Sequence, residues 1–122
     1  MANPPPEVVK ALTSEAAWRA ASGDVLAEAM GHVDDAQRQV MAAPNKDARR
    51  AMLGKLPPHI RAIVQDRVAA LWGGGRVVFA TDASDEGQLE ANVYAMHLNL
   101  TAEAVRVLPH ENACWVIAPR DP

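Results

Sequence analysis

Internal cross-linking through sulfur is closed to this chain. Its single cysteine, Cys114, has no partner for an internal disulfide and cannot supply a multi-cysteine zinc site. Aromatic side chains are scarce as well: Trp18, Trp72, Trp115, Phe79 and Tyr94 are the only ones in 122 residues. An alanine-rich chain with so few large rings favours close helix packing over a broad β-sandwich. No apolar run approaches the roughly 20 residues of a bilayer span, and the start MANPPPEVVK lacks the basic and apolar parts of a secretory signal. The expectation is a soluble, cytoplasmic protein with no membrane partner. Surplus positive charge is missing too: 12 Lys+Arg stand against 15 Asp+Glu, which excludes polycation behaviour. What the chain does hold is 49% hydrophobic content over the length of one domain, enough for a modest core across 1–122. Its alanine and arginine content gives the expectation of a bacterial or phage source with a GC-rich genome.

Hydrophobic spacing divides the chain into a helical region, 1–72, and a mixed region, 76–122. Pro4, Pro5 and Pro6 start a short helix over 7–12, because a proline in the first turn gives up only an N–H without a helical partner. Thr13 or Ser14 can cap a second helix. Trp18, Ala21, Val25, Ala29, Val33, Ala36 and Val40 then recur at three- and four-residue steps, as one long helix or two with a break at Gly23-Asp24. Two further helices are predicted over 46–56 and 58–72, parted by Leu56-Pro57-Pro58. Ile60, Ile63, Val64, Val68, Leu71 and Trp72 form the apolar stripe of the second. Gly73-Gly74-Gly75 ends it. Strands are expected at 76–81, 104–108 and 114–118, with a helix from Ser84 or Asp85 to about Leu98 carrying Leu89, Val93, Met96 and Leu100 on one face. A β-α-β-β unit this small is marginal alone, so an α+β fold results in which about four N-terminal helices pack on it, with Trp18 and Trp72 at the seam.

Charge is segregated along the chain. Residues 1–45 hold three basic and six acidic side chains, residues 46–76 seven and two, and residues 77–122 two and seven. Lys46, Arg49 and Arg50 can share a helix face, with Lys55 and Arg61 nearby in sequence, a surface for phosphate groups or for an acidic protein. The same residues also fit a solvated face neutralised by the acidic parts of the fold. Pro57-Pro58 makes too abrupt a joint for a helix-turn-helix, so nucleic acid would be met through its phosphates.

One segment carries candidate chemistry. Val77-Val78-Phe79-Ala80-Thr81-Asp82 is a strand running into Ala83-Ser84-Asp85-Glu86-Gly87, which opens a helix; carboxylates placed so can hold Mg²⁺ together with waters and phosphates. Residues 77–109 resemble the acidic segment of Toprim domains, in which a buried strand ends in Ala-Thr-Asp and leads to a second Asp, Glu-Gly and a helix. Asp82, Glu86 and Gly87 match that order, while Ser84 stands at the second Asp and Asp85 beside it. The resemblance implies metal ligation by Asp82, Asp85 and Glu86 and phosphoryl-transfer or nuclease-like activity. Helix capping accounts for the same residues: Asp82 or Ser84 at the N-cap, Asp85 and Glu86 in the positively polarised first turn.

Elsewhere the reactive side chains stay apart. His32, His59, His97 and His110 never pair four residues apart as two zinc-binding imidazoles on a helix would. Cys114, next to Trp115 in an apolar strand, reads as a small core residue, with His110 as the neighbour that could make it a nucleophile. With no completed reactive centre, the preferred expectation is a small non-enzymatic binding or regulatory protein without a cofactor, acting through its charged surfaces on a larger protein partner. An inhibitor imitating nucleic-acid charge belongs to that class. The two opposite charge regions also allow homo-oligomerisation.

Overall fold

The computed structural model describes residues 4–119, an α+β chain with six helices and a three-stranded antiparallel sheet. Two compact units divide at Gln65 and Asp66, inside a helix.

The first unit contains α1 (Pro6–Thr13), α2 (Glu15–Ala20), α3 (Gly23–Met41), α4 (Lys46–Gly54) and the start of α5 (Pro58–Ala70). Short polar side chains begin three of them. Ser14 Oγ accepts from the N–H of Ala17, Ser22 Oγ from that of Val25 and Asn45 Oδ1 from that of Ala48, at 3.3, 3.3 and 2.8 Å. Each such cap is worth about 1 kcal/mol. The break between α2 and α3 falls at Ala21-Ser22, ahead of the expected Gly23-Asp24, because the Ser22 cap makes Gly23 the first residue of α3. Val8 and Ala11 of α1, Ala29, Val33 and Val40 of α3, and Ile60, Ile63 and Val64 of α5 are buried. Complete burial of a side chain such as Ile63 or Val33 contributes about 1.5–3 kcal/mol. His59 joins the two ends of the unit: its Nε2 donates to the Ala11 carbonyl at 2.9 Å, and Trp18 meets its ring edge-on at 5.7 Å.

The second unit holds the end of α5, β1 (Arg76–Asp82), α6 (Asp85–His97), β2 (Val105–Leu108) and β3 (Ala113–Ala118). The strand order is β1-β3-β2, with Asp82 opposite Ala113 and Leu108 opposite the same residue on the other side. Gly74 makes the turn before β1 with φ at 85°, a left-handed conformation that glycine adopts without a Cβ penalty. Ala91 and Ala95 of α6 are buried with Cys114 and Val116 of β3, and Phe79 stacks on Tyr94 at 4.5 Å. Trp72 is 56% exposed. Helix α5 ends at Ala70, so the expected apolar stripe stops before its last two members, Leu71 and Trp72.

Candidate functional site

The acidic loop begins where the sequence places it, at the end of β1. Asp82 Oδ1 accepts from the N–H of Ser84 at 3.0 Å and from the Ser84 hydroxyl, and Ser84 Oγ accepts from the N–H of Gly87 at 3.0 Å. The Ser84 hydroxyl, and to a lesser degree its N–H, holds the Asp82 carboxyl below its ordinary range, against a smaller opposing effect of burial. Ser84 is therefore the N-cap of α6, and Asp82 orients the cap. Asp85 and Glu86 are exposed in the first turn. Among the described residues no three His, Cys, Asp or Glu side chains are grouped so that they could hold a metal ion, so Asp82, Asp85 and Glu86 do not form a three-carboxylate cluster. Gly87 explains the tightness of this corner: a Cβ there would come within 3.0 Å of both the carbonyl and the carboxylate oxygens of Asp82.

A second polar group lies where β2 turns into β3. Arg67 of α5 forms a two-pronged pair with Glu111, Nε to Oε1 at 2.7 Å and Nη2 to Oε2 at 2.9 Å, with side chains only 8% and 12% exposed. Its guanidinium also lies 5.5 Å from the centre of the Trp115 ring. One residue back on each partner, His110 Nδ1 donates to Asp66 Oδ2 at 2.7 Å. Adjacent residues of α5 thus hold adjacent residues of the turn. His110 is engaged with Asp66 in a hydrogen bond that its own backbone N–H also makes, at 3.4 Å. Cys114 is fully buried, and that burial pushes its thiol above the ordinary value. These positions give the thiol the character of a core group.

The basic residues expected to form one surface have different employments. Arg61 turns back onto the C-terminal end of α4, donating from Nε to the Leu53 carbonyl at 2.9 Å and from Nη2 to those of Gly54 and Leu56 at 3.2 and 3.0 Å. It satisfies carbonyls that the helix end leaves without partners. Arg49 is half-buried, while Lys46, Arg50 and Lys55 are exposed.

Helix α6 departs most from an ordinary surface helix. Gly87, Ala91 and Ala95, four residues apart, form its buried face, and their small size lets the backbone approach the sheet. Apart from Tyr94, which stacks on Phe79, the larger apolar side chains face the other way: Leu89 is 64% exposed, Val93 45% and Met96 72%. At 3.6 residues per turn these three fall within an arc of about 60°, centred about 170° from the buried face. Asp85 borders one side of the ridge, Glu86 and Glu90 the other, and all three are exposed. Sequence periodicity puts Leu89, Val93 and Met96 on one face, but a second stripe of small residues, Gly87-Ala91-Ala95, is the one that meets the sheet. That four-residue spacing of Gly and Ala is the signal in the sequence from which the buried face could have been found.

The chain matches no family model, no curated protein and no solved structure.

Proposed function

We propose that this is a small non-enzymatic binding protein that acts by covering a surface of a larger protein, with the outer face of α6 as its contact. One observation carries the reading: α6 is apolar on two opposite faces, and only one of them is used by the fold. Three neighbouring apolar side chains of this exposure present an apolar patch of a few hundred Å², the size range in which surface patches of monomers are often functional. The acidic side chains beside it add orientation and favour an oppositely charged approach. The alternative contact surface on α4 is weaker support, because Arg61 is occupied with helix-end carbonyls, which leaves Lys46, Arg50 and Lys55 as its exposed cations.

Capture from a lysate of the source cell tests the reading. The wild-type chain is compared with Leu89→Ser/Met96→Ser and with Lys46→Gln/Arg50→Gln, each immobilised at equal density. A partner lost from the first variant and kept by the second is expected. A partner kept by the first and lost from the second transfers the contact to α4 and ends the proposal.

A further inference from the structure

We infer that the occupant of the α6 outer face is an amphipathic helix of a partner protein, one that carries Lys or Arg beside its own apolar stripe; this rests on the reading of α6 as the contact. The ridge from Leu89 to Met96 is two helical turns, about 10 Å along the axis. Its apolar area is far below the roughly 800 Å² per partner of a standard interface between globular surfaces. A single helix laid along it, meeting side chains at positions i, i+4 and i+7, fits both the length and the spacing.

Charge chooses among the occupants. Asp85, Glu86 and Glu90 border the ridge, and α6 contains neither Lys nor Arg. The whole stretch 77–122 has seven acidic residues against two basic ones. A second copy docked ridge to ridge would bring two sets of these carboxylates together, a like-charge arrangement that opposes association. Head-to-tail docking with α4 of another copy supplies cations without a matching stripe, since Met52 is the one large apolar side chain of α4 that is exposed among the described residues. Anionic lipid is repelled for the same reason as a second α6. A basic amphipathic helix satisfies the ridge and both of its borders.

Fluorescence anisotropy with labelled synthetic peptides of about 20 residues, long enough to be helical, provides the test. The probes are a Leu/Lys peptide with leucine at three- and four-residue steps, the same peptide with Glu for Lys, and a scrambled Leu/Lys peptide. The wild-type chain is expected to bind the first at least about tenfold more tightly than either other peptide. Leu89→Ser/Met96→Ser, which keeps every charge, should weaken that binding about tenfold, and Glu86→Gln/Glu90→Gln should weaken it and flatten its salt dependence. Far-UV circular dichroism checks that each variant stays folded, as expected for side chains that point to solvent. Equal binding of the Glu peptide, or Leu/Lys binding indifferent to Leu89→Ser/Met96→Ser, overturns the inference. So does sedimentation showing a dimer of the wild type that the same double substitution dissolves. If no peptide binds while the lysate partner still disappears with that substitution, the contact face stands and its assignment to a basic helix falls.

Discussion

Truncating Glu111 to alanine would leave the Arg67 guanidinium, 8% exposed and lying over Trp115, without its carboxylate. Breaking a buried ion pair from one side costs about 3–5 kcal/mol, because the remaining charge cannot recover its hydration. Set against a total stability of about 5–15 kcal/mol, that is a large fraction of what holds a domain folded. In urea it corresponds to a fall of about 2 M in the unfolding midpoint with the slope unchanged. Tryptophan fluorescence is a suitable signal, since Trp115 reports from beneath the pair. Replacing both partners, Arg67→Met with Glu111→Met, should recover most of the loss, because an apolar pair of similar volume avoids the desolvation penalty. A double-mutant cycle then gives a large coupling energy that added salt barely alters. The exposed Arg19 and Glu15 pair provides the contrast: its side chains are 77% and 59% accessible, and Arg19→Ala should cost less than about 0.5 kcal/mol. A loss below about 1 kcal/mol in Glu111→Ala, or a double variant as damaged as the sum of the single ones, is incompatible with a desolvated ion pair at this position.

Three further outcomes are expected from the same geometry. Gly87→Ala should destabilise by about 1–3 kcal/mol in thermal melts, reversing the gain that alanine usually brings to a helix, because the new Cβ meets Asp82 at less than 3.0 Å; a raised melting temperature would show that the corner can relax. Asp82, whose folded-state value lies below the ordinary 3.8, contributes stability that is present above that pH and lost as pH falls through the lower value. Asp82→Asn should therefore flatten the acid limb of a plot of unfolding midpoint against pH, and an unchanged limb would deny the link between Asp82 and Ser84. Burial raises the Cys114 thiol above its ordinary 9.0, so unfolded chains ionise first and stability should fall above pH 9.0, a loss absent from Cys114→Ala. Rapid labelling of Cys114 by a thiol reagent in the native state would contradict that burial.

Much of the fold can be read along the chain because its punctuation is local. Ser14, Ser22, Asn45 and Ser84 each sit just before a helix and cap it with their own side chains, and Pro44 and Pro57 lie in the gaps before α4 and α5. The strands declare themselves through Val, Phe, Cys and Trp in short runs. Their pairing does not, since β3 lies between β1 and β2 although it comes last, and nothing in a linear pattern records which strand takes the centre. The end of α5 is hidden in a related way. Periodicity extends the stripe of α5 to it, but the helix stops before reaching it, and position along a pattern does not decide exposure.

The candidate site is legible in composition and illegible in orientation. Counting charges separates a basic stretch from an acidic one, yet the count treats Arg61 and Arg67 like Lys46 and Arg50. Arg61 is bound to three carbonyls and Arg67 to Glu111, each by a partner brought back through the fold. Their withdrawal weakens the basic surface, whereas Asp85, Glu86 and Glu90 remain exposed on a helix whose fully buried positions are the small residues Gly87, Ala91 and Ala95. On helix α6, glycine and alanine permit close approach to the sheet with Tyr94 beside them, while Leu89, Val93 and Met96 are exposed. Exposure of Leu89 and Met96 beyond the packing needs of their own unit is the observation on which the proposed contact rests, and the carboxylates beside them are why that proposal names a basic partner.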